Sequence, residues 1–363
     1  MSWTEERVAR LCLGSFPGFG SRTLRKLWAA FLDPQAAWLA SGSKLTSVGI
    51  SEKVAQRFVS WRATVDPASL VERLERDSIS VLFKDDPTFP SAFRHSSDPP
   101  EILFVRGTLR DVPAIAIVGT RRFTQYGKRC VDLLVPDLAR SGLLIVSGLA
   151  LGIDALVHRS TLEAGGYTVA ILGGGVDDDA IYPRENFPLA KQILSAGGVM
   201  ISEFPPGAEN RKEHFPMRNR LIASLSSATL VIEGTPESGS MITAKLALEE
   251  NREVLAVPGP IWSEASSGTN QLLKLGAKVC TRSADVLEAL SLDRPELMAQ
   301  ARLMLPLDPI EEHILTFLTE PQHVDELGRL METTSATISG KLALLELKGL
   351  AKPIGGQMWV KGR

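Results

Sequence analysis

The stretch that decides the fold reads Ala114-Ile115-Ala116-Ile117-Val118-Gly119-Thr120-Arg121-Arg122. Five apolar residues stop at a glycine and are followed at once by a hydroxyl and two permanent cations. A short, wholly apolar run of this kind fits a strand buried on both faces of a sheet. Further runs at 143–147, 168–172, 198–202, 229–232, 254–257 and 278–281 repeat the pattern. Helical periodicity separates most of them, at 126–141, 155–164, 188–196, 218–226 and 240–251. Strand and helix in alternation predict an α/β fold, a Rossmann-like, doubly wound and mostly parallel sheet.

On either side of this core the pattern changes. Residues 1–64 read as short helices joined by glycine turns, Phe16-Pro17-Gly18-Phe19-Gly20 and Thr46-Ser47-Val48-Gly49-Ile50. The two turns look like a repeated helix-hairpin-helix or SAM-like unit, a geometry that suits a DNA backbone but also simple helix packing. Residues 66–290 hold an extension, with strand-like runs at 79–83 and 102–105, and then the sheet. Residues 291–307 mix charge, proline and leucine and read as a linker. Residues 308–363 show three helical patterns and a small hairpin, the plan of a winged helix.

Composition narrows the class. The chain has 363 residues, 44% of them hydrophobic, with no apolar run approaching the ~18 residues of a membrane span. Its start, Met1-Ser2-Trp3-Thr4-Glu5-Glu6-Arg7, lacks the plan of a signal peptide, so a cytoplasmic, non-membrane protein is expected. Cys12, Cys130 and Cys280 lie far apart and suggest neither a disulfide framework nor a zinc site. Net charge is −2, but residues 1–64 carry nine Lys/Arg against four Asp/Glu, and residues 308–363 carry six against eight. Any phosphate-binding surface is therefore local.

In an open parallel sheet, ligands bind beyond the carboxyl ends of the strands. The loops there carry Gly119-Thr120-Arg121 after the first strand and Ser147-Gly148 after the second. Gly173-Gly174-Gly175 and Asp177-Asp178-Asp179 follow the third, and consecutive aspartates point in divergent directions, which favours a solvated turn over a metal site. Asp154 reads as a helix N-cap. The densest constellation is Lys212, Phe215, Arg218, Asn219 and Arg220, where a base can stack on the ring between cations that hold neighbouring phosphates. Ser240 opens a later helix and can complete the anion site or merely cap. No GxGxxG fingerprint and no Ser/His/Asp elbow is present, so neither a redox cofactor nor a catalytic residue is assigned. Glu203 ends a strand without an identifiable partner, and the third helix of the winged-helix plan offers chiefly Lys341 and Lys348.

At these residues the chain resembles the DNA-processing protein A (DprA/Smf) family. The matching elements are Asp98-Pro99-Pro100, Gly119-Thr120-Arg121, Ser147-Gly148-x-Ala150-x-Gly152-Ile153-Asp154, Gly173-Gly174-Gly175, Tyr182-Pro183-x-x-Asn186, Ser202-Glu203, Phe215-Pro216-x-Arg218-Asn219-Arg220 and Ser238-Gly239-Ser240. The resemblance implies a non-catalytic protein that binds and protects incoming single-stranded DNA during natural transformation and loads the recombinase RecA onto it. It implies phosphate contacts at Arg121, Lys212 and the backbone near Gly148, with Phe215 as the base platform. It also implies a homodimer through the Rossmann-like domain, near residues 270–281, and leaves duplex DNA as a partner of the helical or winged-helix segments. Two alternatives share the scaffold. One is a nucleoside-monophosphate-cleaving enzyme, whose PGGxGTxxE loop is imperfectly matched by residues 233–244; the other is a nucleotide-sensing regulator with the winged helix as output.

Overall fold

In the computed structural model, which describes residues 3–293, 308–347 and 350–362, nine strands form one sheet. They are β1 (Ile79–Phe83), β2 (Ile102–Arg106), β3 (Ala114–Val118), β4 (Leu144–Ser147), β5 (Tyr167–Ile171), β6 (Val199–Ser202), β7 (Ala228–Val231), β8 (Glu253–Ala256) and β9 (Lys278–Val279). Their spatial order is β1-β2-β6-β5-β4-β3-β7-β8-β9. From β6 to β9 all pairings are parallel, while β1 and β2 add an antiparallel flap at the β6 edge. Every residue of β3, β4, β6 and β7 is buried, which is why these strands read as unbroken apolar runs. The chain winds outward from β3 through β4, β5 and β6, then returns to the other side of β3 with β7. The switch point thus lies between β3 and β7.

The helix Gln125–Arg140 buries Cys130, Val131, Leu134, Val135 and Leu138 on one stripe against β3 and β4. Helix His214–Leu225 covers the opposite face with Leu221, Ile222 and Leu225. It starts four residues before the 218–226 predicted, because Pro216 falls in its first turn, where a missing N–H is tolerated. Helix Ile153–Glu163 likewise starts early, with Gly152 at the N-cap, so Asp154 is not the cap expected of it.

The helical residues 5–62 do not stand apart from the sheet. Leu11, Leu13, Phe16, Leu24 and Phe58 share one core with Ile79, Val81, Phe83, Ile102 and Phe104 of the flap. Arginines complete the joint. Arg7 pairs with Asp86, Arg10 with Asp85, and Arg25 with Asp98. Much of the basic excess of this segment therefore faces inward, which weakens the charge argument for DNA there.

Residues 308–362 form a separate small core of Ile314, Val324, Leu327, Ile338, Leu342 and Leu345. Helices Pro309–Phe317, Val324–Leu330 and Ser335–Leu347 pack with a three-stranded sheet, β10 (Gln322–His323), β11 (Ala351–Gly355) and β12 (Met358–Lys361), in the order β10-β12-β11. This is a winged helix. Lys341 is bound to Asp308, whose carboxylate also caps the first helix. Lys348 and linker residues 294–307 lie outside the described residues.

Candidate nucleic-acid interface

The switch point between β3 and β7, where a dinucleotide's pyrophosphate would sit, is occupied by the protein's own anion. The Glu233 carboxylate, 1% exposed, accepts from the Thr124 N–H at 2.9 Å and the Thr124 hydroxyl at 2.6 Å, at the N-terminus of helix Gln125–Arg140. A negative group at that helix end is favoured by the unsatisfied N–H groups and the dipole. A Cβ at Gly127 would come within 2.3 Å of Glu233 Oε2, so glycine is what admits the carboxylate. At Gly119-Thr120-Arg121, where an anion cradle was expected, part of the backbone is spent on the protein itself. The Thr120 N–H donates to the Glu233 carbonyl at 2.7 Å, and the Arg122 N–H donates to Thr120 Oγ1 at 3.1 Å.

Several residues expected at the surface are interior. Ser147 is fully buried and donates to the Ile117 carbonyl at 2.8 Å. Arg218 is 4% exposed, and its guanidinium donates to the carbonyls of Gly148 (2.6 Å) and Ile171, clamping the ends of β4 and β5 together. Gly148 is glycine for that clamp, since a Cβ would lie 2.0 Å from Arg218 Nη1. Its N–H donates to Asp154 Oδ2 at 3.1 Å, so its backbone offers nothing to a phosphate. Asn219 is buried and donates to the Gly239 carbonyl at 3.2 Å. Ser240 is buried, and its hydroxyl has no partner among the described residues. Arg220 binds the Glu203 carboxylate and the Asp98 carbonyl, while Ser21 donates to the same Glu203 at 2.7 Å. The pair thus ties the helical segment to the sheet. For Arg218, Asn219 and Arg220 the cause is that helix His214–Leu225 turns successive side chains through its inner face, which adjacency in sequence does not reveal.

Arg121, Lys212 and Phe215 remain at the surface, and two of them meet. The Arg121 guanidinium lies 5.3 Å from the centroid of the half-buried Phe215 ring. The ring of Tyr182, half exposed, lies 6.0 Å from that ring, tilted at 45°. A Cβ at Gly173 would stand 3.2 Å from Phe215 Cδ1, so this glycine lets the ring lie on the β5 loop. His214 anchors the same turn through Gly173 O at 3.0 Å and stacks on Phe204 at 4.0 Å. Lys212 is exposed in the turn just before. The place of Tyr182 beside Phe215 depends on the fold of the β5 loop, which the sequence pattern does not reveal. Asp177 and Asp178, considered as metal ligands, turn to different partners: Asp177 to Arg73 and Gly207, Asp178 to Arg106 and Lys191.

Beneath this surface lies a polar core. Burial pushes the Asp154 carboxyl up and the Arg218 guanidinium down to about 10, each partly offset by the other's charge. His158, fully buried, shares a 2.7 Å hydrogen bond with Thr168, and burial together with Arg218 pushes its imidazole down to about 3. The folded protein therefore holds His158 neutral where the unfolded chain, with an ordinary value of 6.5, takes up a proton. Stability contributed in this way is present above pH 6.5 and lost as pH falls toward 3. Between pH 7.5 and 5.0 a loss of about 2 kcal/mol is expected. Urea midpoints at the two pH values should show this loss and should show it reduced in His158→Gln; an equal loss in both proteins contradicts the assignment.

The comparisons with known proteins agree with this architecture. A family model described as DNA recombination-mediator protein A matches residues 80–291, and one for the DprA winged helix domain matches residues 298–357. The chain therefore belongs to the DNA recombination-mediator protein A family. It is 32% identical to protein Smf of Synechocystis over 98% of both chains. Among solved structures it is similar to DNA processing protein A of Streptococcus pneumoniae, with TM-score 0.66 and 31% identity over 79% of this chain and 98% of that one. It is also similar to DNA processing protein A of Helicobacter pylori, with TM-score 0.53 and 32% identity over 59% of this chain and 96% of that one, in a structure described as showing a single-stranded DNA binding mode. No helix among the described residues is long and apolar enough to cross a membrane.

Proposed function

We propose that this protein is a non-catalytic, cytoplasmic single-stranded DNA-binding protein that protects an incoming strand during natural transformation and loads RecA onto it. The observation that carries the reading is the cation–aromatic pair of Arg121 and Phe215 beyond the carboxyl ends of the strands, with Lys212 exposed beside it. A base stacks on Phe215 and Tyr182, and Arg121 and Lys212 hold the adjoining phosphates. The related Helicobacter pylori protein, described as binding single-stranded DNA, supports the assignment. Hydrolysis of a nucleotide is not favoured, because the buried carboxylate at the switch point, Glu233, is held by Thr124. The test is titration of a labelled oligothymidylate and a duplex of equal length across a salt series. Binding should favour the single strand, and log K should fall linearly with log salt. Equal affinity for the duplex, or no salt dependence, removes the proposal.

A homodimer belongs to the same reading. Leu275 and Val279 are exposed at the β9 edge, within the expected 270–281 surface, and the exposed Leu248 of helix Gly239–Glu249 lines the same hollow as Leu275. A charge at the centre of such a patch opposes association. Leu275→Glu should give a monomer in sedimentation where the parent protein gives a dimer; an unchanged mass places the contact elsewhere.

A further inference from the structure

The surface beside Arg121 continues past the site just described. After Arg121 come Arg122 and Phe123, both exposed, and one helical turn on lie Tyr126 and Arg129, exposed at i and i+3 on one face of helix Gln125–Arg140. Arg122 and Arg129 make no ion pair among the described residues. The Tyr126 hydroxyl donates to the Pro258 carbonyl at 2.5 Å, which binds this face to the loop beyond β8. That loop is itself fixed. The Gly234 N–H donates to the Ala265 carbonyl at 2.7 Å, the Gly268 N–H to the Gly234 carbonyl at 2.9 Å, and Asn270 pairs with both backbone groups of Gly259. At its tip Ile261 and Trp262 are 92% and 85% exposed. A large aromatic held in the open by a well-bonded loop loses hydrophobic stabilisation in isolation and makes sense against a ligand.

We infer that Trp262 is a second base-stacking station, and that a single strand leaving Phe215 runs along the carboxyl edge of the sheet over Arg121, Arg122, Phe123, Tyr126 and Arg129 to reach it. The inference rests on the single-strand reading given above. Cations interleaved with aromatics are the pattern that follows a strand without reading its sequence. The order of strands β5-β4-β3-β7-β8 places these loops side by side in that sequence. At the far end Glu264 is exposed next to Trp262, so that station receives a base and not a phosphate.

The experiment compares oligothymidylates of about 4 and about 16 nucleotides, the limits of ordinary site sizes, by fluorescence anisotropy. The parent protein, Trp262→Ala, Trp262→Phe and Phe215→Ala are each titrated with both. Trp262→Ala should bind the long strand roughly 5- to 150-fold more weakly and the short one as the parent does, and Trp262→Phe should recover most of the loss. Unchanged affinity of Trp262→Ala for the long strand overturns the inference. So does an altered sedimentation mass with intact DNA binding, which would make Trp262 a protein contact. A Phe215→Ala protein that binds both lengths normally would instead remove the primary site.

Discussion

Arg218→Met should lower the stability of the sheet domain by about 3–5 kcal/mol, the range for removing one partner of a buried charge pair. Three acceptors lose their cation at once: the carbonyls of Gly148 and Ile171, and the electrostatically coupled carboxylate of Asp154. Asp154 keeps the Gly148 N–H, but its charge is left in the interior without compensation. Methionine fills similar volume, so packing changes little. Arg218→Lys should recover only part: both carbonyls accept from the single nitrogen Nη1, but a lysine ends nearer its own backbone and gives up the delocalised, weakly hydrated guanidinium that suits a buried site. The deficit should shrink on acidification. Burial already raises the Asp154 carboxyl, and without Arg218 it rises further. A carboxyl raised in the folded state adds stability below its unfolded value and loses it as pH climbs through the folded one. Urea unfolding with an unchanged m-value is the measurement; a loss below about 1 kcal/mol would show that the interior pair is not what holds the β4 and β5 loops.

Phe215→Ala should weaken single-strand binding by about 1–3 kcal/mol, or roughly 5- to 150-fold, while leaving the fold intact. The ring is half-buried against Gly173 and belongs to none of the buried apolar clusters of the sheet domain. Arg121→Ala should act differently, weakening binding at low salt and reducing the salt slope by about 1. Because Arg121 stands over the Phe215 ring, the double variant should lose less than the sum, by about 0.5–1 kcal/mol. Strict additivity would mean that the two side chains serve separate parts of the strand. A Lys212→Ala variant offers the contrast, since it should flatten the salt slope without coupling to the ring.

How much of this was legible beforehand depends on what each residue touches. The parallel strands were readable because burial on both faces leaves an unbroken apolar run, and their observed limits differ from those expected by about a residue, except β9, which ends two residues early. The helix at 267–274 was not anticipated, since a short segment that owes its form to tertiary packing carries little periodicity. Within the candidate site, Arg121 and Phe215 could be found from their position after β3 and near the start of a helix. Arg218 and Arg220 could not be told from them by type. One is engulfed beneath the β4 and β5 loops and the other is held by Glu203 and Asp98, partners 17 and 122 positions away.

The sequence alone determined the alternating α/β plan, the direction of the sheet and the presence of cations and an aromatic at its carboxyl edge, because those depend on local pattern and strand ends. Only the tertiary structure decided which cations face solvent. It turned Arg218 inward as a clamp, placed Glu233 where a nucleotide phosphate would otherwise sit, and brought Arg121 from the β3 loop onto Phe215 from the far side of β6. Those outcomes depend on long-range packing around a common core, and a guanidinium's choice between a buried carbonyl and a ligand's phosphate is set by the neighbours that packing supplies.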